Sequence, residues 1–73
     1  MFSKVNSSIY ESEDGYVVEF KKEDGEKAAF VGKKREDDKV RLLFIVSAEG
    51  MSRRDFLKHL EENFNLYLEK YVK

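Results

Sequence analysis

Up to residue 47 the apolar positions come in short, alternating blocks, and from residue 56 onward they recur every three or four residues. The first spacing is that of β-strands and the second that of an α-helix. Tyr16, Val18 and Phe20 alternate with Val17, Glu19 and Lys21, which predicts a strand over residues 16–22. A weaker strand is expected within residues 4–11, with Val5, Ser7 and Ile9 on one face, and another over residues 26–31. Residues 39–47 carry the strongest β pattern of the chain and read as a central strand. In that strand Val40, Leu42, Phe44 and Val46 are expected to meet the helix, and Leu43 and Ile45 to project the other way.

Asp14-Gly15 and Asp24-Gly25 fall between these blocks, and Asp-Gly is the strongest short-range signal for a tight hairpin. Two hairpins therefore link the first three strands. Residues 32–38 read as a polar loop, and Ala48-Glu49-Gly50-Met51 ends the last strand. Ser52 followed by Asp55 approximates a capping box, and Met51 with Phe56 holds the positions of a hydrophobic staple. Phe56, Leu57, Leu60, Phe64, Tyr67, Leu68 and Tyr71 then form one apolar stripe, predicting a helix over residues 53–71 with Lys58, Glu62, Asn65 and Glu69 on its wet side. The expected fold is one α+β domain over residues 1–73. It is a four-stranded antiparallel β-meander followed by one C-terminal amphipathic helix packed on one sheet face, in the order β-β-β-β-α.

Composition removes several function classes. Lys and Arg number 14 and Asp and Glu 15, a net charge of -1, which excludes both a highly basic nucleic-acid packer and an acidic mimic of DNA. Charged residues make up 40 %, a level that points toward disorder, but six Phe and four Tyr supply the burial that a disordered chain lacks. The chain has no Cys, hence no disulfide and no thiolate chemistry, and a reducing cytoplasm is the expected compartment. Its longest apolar run, residues 42–46, falls far short of the roughly 20 residues that span a bilayer, and residues 1–6 do not read as a signal peptide. A soluble protein with no membrane partner is expected. A core this small yields only about 3 to 5 kcal/mol, which makes oligomerisation a natural further source of stability.

Candidate chemistry is sparse. His59, the single histidine, flanks the helical stripe with Asp55 and Asn63 four residues away on either side, too few ligands for zinc. Glu36-Asp37-Asp38 lacks EF-hand spacing, and Gly32-Lys33-Lys34-Arg35 lacks the Walker pattern and leads into a strand, not a helix. No serine has a partnered histidine. No catalytic residue, metal site or cofactor is expected, and the chain reads as non-enzymatic. Its sheet, however, has apolar positions on both faces and one helix to cover them. Val17, Leu43 and Ile45, with Leu66 as an outlier on the helix, are the expected protein interface, for a second copy of the chain or for another protein. The alternative is a single-stranded nucleic-acid binder, using Lys21, Lys22, Lys33, Lys34, Arg35 and Arg41 beside Tyr10, Tyr16, Phe30 or Phe44, although acids are interleaved among these cations.

Two stretches carry a family resemblance. Tyr10-Glu11-Ser12-Glu13-Asp14-Gly15-Tyr16-Val17-Val18-Glu19-Phe20 resembles the opening hairpin of the HicB family of small antitoxins, and Leu60-Glu61-Glu62-Asn63-Phe64-Asn65-Leu66-Tyr67-Leu68-Glu69 resembles its helix. Together they cover 21 of the 73 residues. The resemblance implies a toxin-neutralising partner protein. The family's proline- and cysteine-bearing segment after the hairpin is missing here, and residues 39–47 stand in its place as an extra strand. The expected strand order also resembles that of small single-strand-binding coactivators, an analogy of topology alone.

Overall fold

Five strands form one antiparallel sheet in chain order: β1 (Phe2–Lys4), β2 (Ile9–Ser12), β3 (Tyr16–Glu23), β4 (Glu26–Lys34) and β5 (Val40–Ser47). Two helices, α1 (Arg53–Glu62) and α2 (Phe64–Tyr71), follow in this computed structural model, which describes residues 1–72. The α+β class and the order of a meander before helix hold, with five strands in place of four and two helices in place of one.

The expected strand within residues 4–11 is split because Asn6 turns the chain. Its Oδ1 accepts hydrogen bonds from the Ser8 and Ile9 amides, each at 3.0 Å, and the Val5 amide donates to the Ile9 carbonyl at 2.8 Å. A side-chain oxygen that satisfies two backbone donors stabilises a turn where a longer strand would otherwise run. The Asp-Gly hairpins form as expected. Asp24 and Gly25 have φ of 51° and 82°, the left-handed pair that a two-residue turn between Glu23 and Glu26 requires.

β5 is an edge strand, not the central one its pattern suggested. A meander lays each strand beside the one before it, so the last strand has no successor on its far side, and β3 and β4 occupy the middle. The core lies between one sheet face and the helices. Tyr10, Val18, Val31 and Phe44 form one row across β2 to β5, with Phe20, Ala29 and Val46 in the next. Phe56, Leu57 and Leu60 of α1 close over these rows, and Val18, Ala29, Val31 and Leu60 are fully buried. Phe20 meets Tyr10 and Phe56 edge to face at 5.8 and 5.7 Å, an arrangement favoured by the ring quadrupoles. Phe44 stacks with Tyr67 at 5.7 Å and Tyr71 at 5.3 Å, which anchors α2 to the edge strand.

Ser52 caps α1, its Oγ accepting from the Asp55 amide at 3.1 Å, and Met51 packs against the core. Ser52→Ala should cost about 1 kcal/mol in a thermal melt, the usual value of such a cap, and an unchanged melt would show that the cap is dispensable. The helical stripe then breaks at Asn63, whose φ of -119° leaves the helical region. The Asn63 Nδ2 donates to the His59 carbonyl at 2.9 Å, while its amide is shared between the His59 and Leu60 carbonyls at 3.1 and 3.3 Å. This competition for backbone acceptors is why Asn disfavours helix interiors. The break re-aims Phe64 onto Tyr16, with ring centroids 4.5 Å apart.

Candidate interaction face

The face of the sheet that turns away from the helices is shaped by one irregularity. Lys34 pairs with Val40, Lys33 with Arg41 and Gly32 with Leu42, but Val31 then pairs with Phe44, so Leu43 has no residue opposite it. This extra residue is a β-bulge, and it resets the alternation of side chains along β5. Phe44 and Val46 face the helices as expected. Leu43, expected on the outer face, instead packs half-buried against the core, whereas Val40 and Leu42, expected inward, are 50 % and 53 % exposed. A two-residue period holds only while the ladder is regular. Gly32, beside the bulge, was the one available signal, since a glycine inside a strand marks a bulge or a close approach.

Two rows build the outer face. Ile9, Glu19, Phe30 and Ile45 stand side by side across β2 to β5, and Glu11, Val17, Gly32 and Leu42 form the next row. Ile45 is 47 % exposed, while Val17, Ile9 and Phe30 are half-buried. Gly32 leaves a shallow groove lined by Ile9, Val17, Phe30, Val40 and Leu42. Ion pairs rim it: Lys21 to Glu19 at 3.5 Å and Lys34 to Glu11 at 3.5 Å. The Lys21 ammonium also lies 5.1 Å from the centre of the Phe30 ring. Of the four residues expected at an interface, Val17 and Ile45 share this face and Leu43 does not. Leu66 is 64 % exposed but belongs to α2, where it borders a groove with His59, Tyr67 and Tyr71.

The six cations named for nucleic acid are not gathered into one surface. Lys21 and Lys34 flank the outer face, each already paired with a carboxylate. Lys22, Lys33 and Arg41 occupy strand positions of the opposite face, with the Lys33 ammonium 4.2 Å from the centre of the Tyr16 ring. Arg35 pairs with Asp37 at 3.8 Å in the β4–β5 loop. Among the four aromatics named with them, Tyr10, Tyr16 and Phe44 turn toward the helices, leaving Phe30 on the outer face. His59 is exposed, its ring edge-on to Tyr67 at 5.9 Å. Among the described residues no group of three or more His, Asp or Glu is arranged to hold a metal ion, and no helix is long and apolar enough to cross a membrane.

The two stretches that resemble HicB antitoxins fold as the β2–β3 hairpin and as a segment that straddles the α1–α2 break, and between them the chain adds β4 and β5. Comparison with known protein families, with curated proteins and with solved structures finds no match to this chain.

Proposed function

We propose that this domain is a small non-enzymatic interaction module that self-associates through the outer face of its sheet. One observation carries the reading: Val40, Leu42 and Ile45 are exposed beside Val17, Phe30 and Ile9, while both helices lie across the sheet. Single exposed apolar side chains are ordinary on a monomer, but a contiguous group rimmed by charges is characteristic of a contact surface. A second copy suits it better than a strongly charged partner. The rim pairs Glu11 with Lys34 and Glu19 with Lys21, so it presents no excess of either sign, and a net charge of -1 gives two copies little mutual repulsion.

A HicB-like role would bring a toxin protein to the same face. A single-stranded nucleic acid has less support, because the two cations flanking this face are already paired with acids. Leu42→Lys tests the reading. Wild-type protein should sediment as a concentration-dependent dimer, and the variant should weaken that dimer at least about tenfold, the effect of losing roughly 1.4 kcal/mol of apolar burial, with its circular dichroism unchanged. A wild-type chain that stays monomeric at millimolar concentration would overturn self-association. Oligonucleotide binding that weakens steeply with salt would transfer the face to nucleic acid.

A further inference from the structure

We propose that self-association runs through the free edge of β5, with two copies joined antiparallel about a twofold axis so that two five-stranded sheets become one continuous sheet. This rests on the self-association proposed above, keeping its second copy and moving the contact from the outer face to the edge strand that borders it. The sheet has two edges of unequal kind. β1 is three residues long, and a very short edge strand is a standard protection against further pairing. β5 is eight residues long, contains no proline, and carries one charge, Arg41.

The hydrogen-bond alternation shows which groups the edge offers. The Ala48 amide donates to the Lys27 carbonyl at 2.9 Å, and the Arg35 amide donates to the Lys39 carbonyl at 2.7 Å. In an antiparallel ladder, residues that bond the neighbouring strand alternate with residues that point their amide and carbonyl away from it. Counting inward from both ends, across the bulge, Val40, Leu42, Ile45 and Ser47 direct their backbone groups to the open side. These residues also carry their side chains on the outer face. An incoming strand would therefore satisfy unpaired backbone groups and extend the apolar face in one step.

Self-complementarity selects a second copy as that strand. An antiparallel twofold pairing centred between Leu43 and Phe44 sets Leu42 of one chain opposite Ile45 of the other, the two most exposed apolar side chains at the middle of the strand. The same register sets Lys39 opposite Ala48 and Asp38 opposite Glu49, so the apolar middle of the strand, and not its charged ends, carries the contact. An isologous contact of this kind closes at two copies and leaves the short β1 edges outermost.

The chain has no cysteine, so introduced thiols report cleanly. In the paired strands Cα atoms at positions 42 and 45 would lie about 5.5 Å apart, within disulfide range, whereas sheets stacked face to face lie about 10 Å apart, beyond it. Leu42→Cys/Ile45→Cys should give a disulfide-linked dimer on mild oxidation, and Val17→Cys should not. In wild-type protein the Leu42 and Ile45 amides should exchange with solvent deuterium at least about tenfold more slowly in the dimer than in dilute monomer. A wild-type dimer whose two amides exchange at the monomer rate, with no disulfide from the double variant, would overturn edge pairing while leaving face-to-face association standing. A chain that is monomeric throughout would overturn both.

Discussion

Leu60→Ala should leave a large part of the population unfolded at 25 °C. Leu60 has no solvent exposure and sits in the single core with Val18, Val31 and Phe56. Truncating such a residue costs about 2 to 5 kcal/mol, through lost transfer free energy and the cavity left behind. A core of this size supplies about 3 to 5 kcal/mol in total, so the two figures nearly cancel. Phe44→Ala belongs with it, at about 3 to 5 kcal/mol, because Phe44 is buried under Tyr67 and Tyr71 and its loss detaches α2 as well as emptying the sheet side of the core. Phe64 is only half-buried and should cost less. Lys58→Ala and Glu62→Ala, on the exposed side of α1, should stay within about 0.5 kcal/mol. Urea denaturation at one fixed protein concentration measures all five, since an associating chain gains stability with concentration. Similar midpoints in the two groups would mean that the helix presents a different face to the sheet.

Gly32→Ala should also destabilise, against the usual sign. Glycine inside a strand ordinarily costs about 0.5 to 1 kcal/mol relative to alanine, so the substitution would normally help. Here a Cβ at position 32 would lie 2.5 Å from Val40 Cγ1 and 2.8 Å from the Arg41 carbonyl oxygen. Val40 can turn aside, but the carbonyl is backbone held in the β4–β5 pairing, and forcing strands apart in this way costs about 1 to 3 kcal/mol. The clash therefore wins, lowering the melting temperature by about 4 to 8 °C for each kcal/mol. Adding Val40→Ala should recover only part of the loss. A Gly32→Ala protein that melts higher than wild type would show that the two strands have room to separate at the bulge.

The contrast between what the residue pattern conveyed and what it did not follows from the same bulge. Local signals read correctly where a local cause decides: the Asp24-Gly25 turn needs a left-handed pair, Ser52 has an amide to cap, and the apolar stripe faces the core from Phe56 to Leu68, buried in α1 and half-buried in α2, with Tyr71 left exposed at its end. They failed where another strand intervenes. Nothing within residues 39–47 announces that Leu43 lacks a partner, because the irregularity belongs to the pairing with Gly32 rather than to β5 itself. A strong β pattern likewise suggested a central strand, yet β5 is apolar on both faces while lying at the edge. Asn6 and Asn63 were legible in principle, each an amide side chain able to take over backbone hydrogen bonds, and each splits an element that hydrophobic spacing alone joins. The candidate site was half legible for the same reason: Val17 and Ile45 follow the simple alternation, and Val40 and Leu42 follow the bulge.

Every strand of the sheet precedes both helices in the chain. A sheet that forms before its helices dock leaves the Val18, Val31 and Phe44 row as bare as the Leu42 and Ile45 side, with the open edge of β5 already in place. That intermediate, rather than the finished fold, is the species most prone to stick to its neighbours, so the yield on refolding from urea should fall as protein concentration rises without altering the protein that escapes.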